Sequence, residues 1–159
     1  MEKIGLKNEN ILKFEIVDEK GNSTGNYLEF DLEDVELPFR YQTIDERLKK
    51  SRKNLKNQML IIDKKEDHKG KKLLSANEEA KMKALRDFYK EQEEIYNLFL
   101  GENGVQKLLC GRSLRWTTLN EIDELIEKQI APKLNVTMDN ITKKIKEKYS
   151  AVKEDNILE

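Results

Sequence analysis

Apolar residues recur at three- and four-residue steps through the middle of this chain, and that spacing constrains its fold more than any other feature. Such a period places the apolar side chains on one face of an α-helix. Pro38, preceded by the acidic residues Asp34 and Glu36, marks a helix start, so we predict a long helix over residues 38–62. Its apolar face would consist of Tyr41, Ile44, Leu48, Leu55, Met59 and Ile62.

Charged residues make up 38% of the 159 residues and hydrophobic residues 37%. A composition this polar is typical of slender helices with wide solvated faces, and the length suits one domain. We therefore predict a single domain over residues 1–150 and a flexible tail over residues 151–159. The formal net charge of -1, from 30 basic and 31 acidic residues, gives no overall attraction to nucleic acid or to an anionic membrane.

The first part of the chain alternates apolar and polar residues, which is typical of half-buried β-strands. Two such segments flank Gly21 and Gly25, so we predict a β-hairpin over residues 11–32. A two-stranded ribbon is only marginally stable alone, so its apolar face must cover the helices while its edges stay open to another chain. The alternating apolar residues are Leu12, Phe14, Ile16, Leu28, Phe30 and Leu32.

The segment 63–74 is polar and contains Gly70, which predicts a linker. Ser75 and Glu78 form a capping-box pattern that opens a helical part over residues 75–150. Gly101 is positioned to end the helix that begins there. The predicted fold class is therefore mainly α, a helical bundle of about four to five helices with an N-terminal β-hairpin.

The last third of the chain predicts a short helix between Gly104 and Gly111, followed by a longer one. We expect Pro132 to break or end that longer helix, because proline lacks the backbone N–H that a helix interior needs. Thr137 would then cap a final helix.

Residues suited to catalysis are few. The single histidine, His68, lies in the polar linker without the shielded pocket or spaced partners that a base or a metal site needs. The single cysteine, Cys110, follows two leucines and is interpreted as a small buried hydrophobic residue. The sequence contains no phosphate-binding loop, nucleophile elbow or dinucleotide fingerprint. We predict no enzymatic activity, no metal and no cofactor.

The chain contains no apolar stretch approaching the roughly 20 residues of a membrane span. Its first residues lack the apolar core of a signal peptide. One cysteine cannot form an internal disulfide, which favours a reducing compartment. We expect a soluble, cytoplasmic protein without a membrane partner.

The segment 47–56 contains six basic residues and no acidic one, which could bind a phosphate backbone. However, its bases encircle the predicted helix, and the segment contains no aromatic residue for stacking on bases. An acidic stretch over residues 28–36 also offers these bases a partner within the chain or in a neighbouring copy. A solvated or intersubunit face is favoured, and a small nucleic-acid-binding or regulatory protein remains the alternative.

Arg112, Arg115 and Trp116 cluster after Gly111. Trp116 is most simply a core residue, since burying a large aromatic side chain stabilises a small domain. Tryptophan and arginine are also enriched at the centres of protein interfaces. The candidate protein-binding residues are therefore Leu12, Phe14 and Ile16 of the hairpin together with Arg112, Arg115 and Trp116.

The segment NLFLGENGVQKLLCGRSLRWTTLNEIDELIEKQIAPKL, residues 97–134, resembles the tail assembly chaperones of long-tailed phages and prophages of Gram-positive bacteria. The similarity covers most of the chain, from about Ile11 to Leu134, and includes the β-hairpin, the acidic entry to the first helix and the long charged helical pair. That family has a helix ending in phenylalanine-leucine-glycine-glutamate, a short glycine-flanked helix, and a last helix that leads to a proline. The turn CGRSLRW is more basic than the corresponding turn of the family. The residues that carry the resemblance are Phe99, Leu100, Gly101, Glu102, Gly104, Gly111 and Pro132.

The resemblance implies a helical, self-associating chaperone. Such a protein coats the helices of the tape-measure protein and recruits tail-tube subunits before the tube polymerises. It also implies a location in the host-cell cytoplasm and absence from the mature virion.

Overall fold

A two-stranded hairpin precedes five α-helices in the part of the chain that the computed structural model describes, residues 1–7 and 10–158, with side chains as far as residue 150. This architecture confirms the predicted fold class, mainly α with an N-terminal β-hairpin. The elements are β1 Ile11–Val17, β2 Ser23–Asp31, α1 Leu37–Asp63, α2 Ala76–Leu100, α3 Gly104–Leu109, α4 Trp116–Leu125 and α5 Ala131–Leu158.

The hairpin uses its apolar face to cover the helices, as its alternating pattern predicts. β1 and β2 pair antiparallel, with Leu12 opposite Phe30 and Phe14 opposite Leu28. Leu28 and Phe30 are each only 2% exposed. The ring centroid of Phe30 lies 5.1 Å from that of Phe99 in α2, so the hairpin is held by aromatic packing against the helices.

Helices α1 and α2 form an antiparallel pair that contributes eight of the nineteen described residues in the core cluster. The start of α2 has the predicted capping box, in which the Glu78 backbone N–H donates to Ser75 Oγ at 3.1 Å. The side chain of Asn77 donates from Nδ2 to the carbonyl oxygens of Ile62 at 3.2 Å and Lys65 at 2.9 Å. These bonds satisfy carbonyl groups at the end of α1 and tie it to the start of α2.

The prediction that Pro132 breaks or ends a helix is wrong. Helix α4 passes into a π-helical turn over Ile126–Ile130 and then directly into α5, which contains Pro132 in its first turn. The backbone N–H of Ala131 donates to the carbonyl of Ile126, five residues earlier. The wider turn gives the helix a place to absorb the proline ring, which would otherwise collide with the carbonyl four residues before it.

Helix α5 packs on the core through Leu134, which is 5% exposed, and through the partly buried Ile141. Its side chains are exposed from residue 142 to residue 150. Thr137 lies inside this helix and donates to the Lys133 carbonyl at 2.9 Å, so it does not cap a separate helix. Ile145 and Tyr149 are 50% and 66% exposed. The backbone of α5 is helical up to Leu158, within the segment 151–159 for which the sequence predicts a tail, and Glu159 lies outside the described residues.

Gly104, the first residue of α3, is essential to the close approach of α3 and α2. A Cβ atom added at Gly104 would lie 2.6 Å from Cβ of Leu100. We expect Gly104→Ala to lower the free energy of unfolding by about 1–3 kcal/mol, because α3 must move to relieve that overlap. Urea unfolding followed by circular dichroism measures the change.

Gly5→Ala is the matched control, because a Cβ at Gly5 meets nothing within 4 Å. Equal stability of the two variants would contradict the close approach of α3 to α2.

Candidate functional site

An open groove lies between the first half of α2 and the connection from α3 to α4. It has a volume of about 520 Å³. One wall is formed by Met82, Leu85 and Tyr89, which follow one another at helical spacing on α2. The other wall includes Leu109 at the end of α3 and Leu114 in the connection. The floor of the groove is therefore apolar, and we call this feature the α2 groove.

The rim of the α2 groove carries basic side chains that point to the chemistry of a ligand. Arg86 and Lys90 of α2 form no ion pair within 4 Å among the described residues. On the opposite rim, Arg112 Nη1 donates to Glu19 Oε1 of the hairpin turn at 2.9 Å. Glu93 of α2 also lines the groove, where its Oε1 atom accepts from Gln106 Nε2. An apolar floor with two unpaired bases along one edge suits an amphipathic helix that has acidic residues on its flank.

The six predicted protein-binding residues fall into two groups in the structure. Leu12, Phe14 and Ile16 lie on the hairpin face that packs on the helices, with Ile16 only 5% exposed. They therefore belong largely to the core.

The second predicted group lies at the surface, near the α2 groove. Arg112 is on the rim, and the exposed Arg115 is the N-cap residue of α4. Trp116 is 55% exposed, so the prediction that it is a core residue is wrong. The buried residues of α4 are Thr118, Leu119 and Ile122, and Trp116, the first residue of the helix, lies before them.

Cys110 is also not buried, contrary to the prediction. It is the C-cap residue of α3, with a φ of 50°, and its side chain is exposed. The left-handed backbone conformation reverses the chain there and turns the side chain away from Leu109, which is buried. His68 is exposed in the linker, as predicted. The described residues contain no group of three or more acidic, histidine or cysteine side chains that could hold a metal ion.

A hydrogen-bonded network links α1, α2 and α4, and no sequence pattern indicates it. Arg52 Nη2 donates to Asp123 Oδ2 at 2.6 Å and to the Tyr96 hydroxyl at 3.1 Å, while the Tyr96 hydroxyl donates to Asp123 Oδ1. Burial, reinforced by the bond to Asp123, raises the pKa of Tyr96 above its ordinary value. The three groups satisfy one another, so the network is structural.

This network also bears on the basic segment 47–56. Arg52 pairs with Asp123, and Lys49 Nζ lies 2.9 Å from Asp45 Oδ2. Two of the six bases of the segment therefore already have acidic partners within the fold, which leaves fewer of them for a phosphate backbone. Nucleic-acid binding stays a prediction that no contact in the described structure favours.

In comparisons with known proteins, no protein-family model, curated protein or solved structure matches the chain. None of the described helices has the length and apolar character needed to cross a membrane.

The network predicts the effect of removing its acid. We expect Asp123→Ala to lower the free energy of unfolding by about 1–2 kcal/mol, because it leaves the buried Tyr96 hydroxyl without an acceptor and removes the ion pair of Arg52. Asp139→Ala, in an exposed position on α5, is the control and should unfold at the parent urea concentration. If Asp123→Ala unfolded at the same urea concentration as the parent, the network would contribute nothing to stability.

The raised pKa of Tyr96 predicts a loss of stability at alkaline pH. The folded protein retains the phenol proton above pH 10, where an unfolded tyrosine loses it, so the free energy of unfolding falls as the pH rises above about 10. The slope from this residue is about 1.4 kcal/mol per pH unit. Tyr96→Phe should show a shallower decline in urea unfolding between pH 9 and 11.

The control for this experiment is Tyr149→Phe, since Tyr149 is 66% exposed. It should keep the parent slope. If the free energy of unfolding fell equally with pH in the parent, Tyr96→Phe and Tyr149→Phe, the raised pKa of Tyr96 would be contradicted.

Proposed function

We propose that this protein is a phage tail assembly chaperone that binds helices of the tape-measure protein in the α2 groove and recruits tail-tube subunits. The observation that carries the proposal is the composition of the groove walls. The segment that resembles the chaperone family, residues 97–134, supplies α3 and the α3–α4 connection, and these form one wall against α2.

The shape of the α2 groove supports a helical client. Met82, Leu85 and Tyr89 span two turns of α2, or about 10 Å. A client helix would place apolar residues at positions i, i+3 or i+4, and i+7 against this stripe. Met82 is 51% exposed, so apolar surface is available to such a helix.

The charges on the rim support selection among helices. Arg86 and Lys90 would pair with acidic residues on the flank of the client helix. A very long helical protein offers many amphipathic segments, and the basic rim would select those with an acidic edge. The exposed pair Arg115 and Trp116 gives a second contact of the type common at interface hot spots, available to a tail-tube subunit.

The setting of this function is part of the proposal. A chaperone of this kind acts in the host-cell cytoplasm before the tube polymerises and is absent from the mature virion.

The proposal predicts that one charge placed in the α2 groove removes client binding. Co-expression with overlapping fragments of a phage tape-measure protein should give a stable complex with the parent. Met82→Glu should lower its affinity at least about tenfold, because it buries a carboxylate against the apolar client. Co-purification followed by isothermal titration with the retained fragment measures this loss.

Leu60→Glu is the matched control, since Leu60 on α1 is 50% exposed and lies outside the α2 groove. It should retain the parent affinity. A parent that retains no tape-measure fragment would overturn the function. Equal binding by parent, Met82→Glu and Leu60→Glu would show that the client binds elsewhere.

A further inference from the structure

A second groove lies on the outer side of the α1–α2 pair, with a volume of about 530 Å³. We call this surface the seam face. Its α1 edge carries Arg47, Lys50 and Ser51, and its α2 edge carries Glu91, Glu94 and Leu98.

The seam face points away from the rest of the fold. Helix α1 meets α4 through Arg52, which is five residues beyond Arg47 and therefore lies well around the helix from it. On α2, Leu98 lies nine residues after Tyr89, or two and a half turns, so it projects on the opposite side from the α2 groove. The seam face is consequently separate from the proposed client site.

The charges of the seam face are segregated by helix. The two bases lie on α1 and the two acids on α2, and all four side chains are exposed. None of them forms an ion pair within 4 Å in the described part of the chain. One edge of the face is therefore positive and the other negative.

Two further features mark the seam face as incompletely packed. Leu98 is 45% exposed at one end of it. Ser51 is only 2% exposed, and its Oγ atom has no hydrogen-bond partner among the described residues. A buried hydroxyl without a partner is unfavourable. Its burial also keeps it out of reach of a docked molecule, so Leu98 is the feature of the two that offers surface to a partner.

We infer that the seam face binds the seam face of a second copy of this chain, about a twofold axis that runs parallel to α1 and α2. A rotation about that axis places α1 of each copy over α2 of the other. Arg47 and Lys50 then face Glu91 and Glu94 of the second copy, twice over. A twofold axis across the helices would place bases over bases, so the charge pattern selects the first arrangement.

A dimer through the seam face extends along the two helices that carry it. Helix α1 has 27 residues and α2 has 25. At 1.5 Å per residue the pair is about 40 Å long, and two adjacent helices are about 20 Å wide. The residues that line the seam face span only about 10 Å of this length on each helix. A standard stable interface of about 800 Å² on each copy therefore also needs contacts along α1 and α2 on both sides of them. The product is a four-helix assembly built from two α1–α2 pairs.

Charge exchange tests both the interface and its orientation. The double variants R47E/K50E and E91K/E94K should each be monomers of 18.7 kDa, because each places like charges opposite one another. Mixing them should restore a dimer, since every facing pair becomes opposite in charge. Sedimentation equilibrium over a wide concentration range gives the masses. Each double variant alone should have a dimer dissociation constant at least about tenfold higher than that of the parent.

K71E/K72E is the control, because both lysines lie exposed in the linker outside the seam face, and it should dimerise as the parent does. The heterodimer itself demonstrates that both double variants are folded. A parent that stays monomeric at every concentration would overturn the inference, as would a dimer that resists both charge reversals or a mixture that fails to reassociate.

Loss of the seam-face dimer and loss of the client site are separable. Met82→Glu should remain a dimer, and R47E/K50E should still bind a tape-measure fragment in the α2 groove. The inference rests on the charges of the seam face and does not require the proposed client.

Discussion

Phe99 is the contact on which the fold depends, because its ring is where three elements meet. The ring lies 5.1 Å from Phe30 of the hairpin and 5.3 Å from Tyr41 of α1, measured between centroids. Phe30 in turn packs edge-on against Phe14 at 5.9 Å. A hairpin of two strands has too little apolar area to persist alone. Its attachment to α2 through Phe99 is therefore what makes the N-terminal part of the chain fold.

A core centred on one narrow contact leaves much of each helix in solvent. With 38% charged residues, α1 and α2 can each bury one stripe, and their remaining faces carry charges and isolated apolar side chains. Such side chains are common on protein surfaces and carry no meaning singly. At the α2 groove and the seam face, exposed apolar side chains share a concave surface with charged residues such as Arg86 and Arg47, which form no ion pair within the described chain. The two proposals rest on that combination.

The features that follow from local pattern were predictable, and those that depend on distant packing were not. The hairpin, the first helix and the Ser75 capping box each follow from residues within a few positions of one another. The pairing of Arg52 with Asp123 joins residues 71 apart in sequence, and each is one charge among many until the helices are packed. The prediction that Trp116 is a core residue was wrong because the burial of its side chain depends on where the neighbouring elements end.

In the candidate site, too, local sequence patterns were predictable and contacts between distant segments were not. The apolar spacing of Met82, Leu85 and Tyr89 is evident in the sequence. That spacing does not show whether the side chains are buried in the core or line an open groove. Arg112 was selected for its residue type, and its position on the groove rim depends on the left-handed turn at Cys110 and Gly111. The sequence pattern therefore identified Arg112 as a candidate binding residue, but it could not show that α2 forms the opposite wall of the groove.

The geometry of α2 relates the two proposed surfaces. Because the α2 groove and the seam face lie on opposite sides of that helix, a dimer formed through the seam face carries its two grooves on its outer sides. Two grooves on one rigid body can engage two segments of the same long client, so the second contact forms at the effective concentration set by the first. Dimerisation would then strengthen client binding without adding any contact to the groove itself.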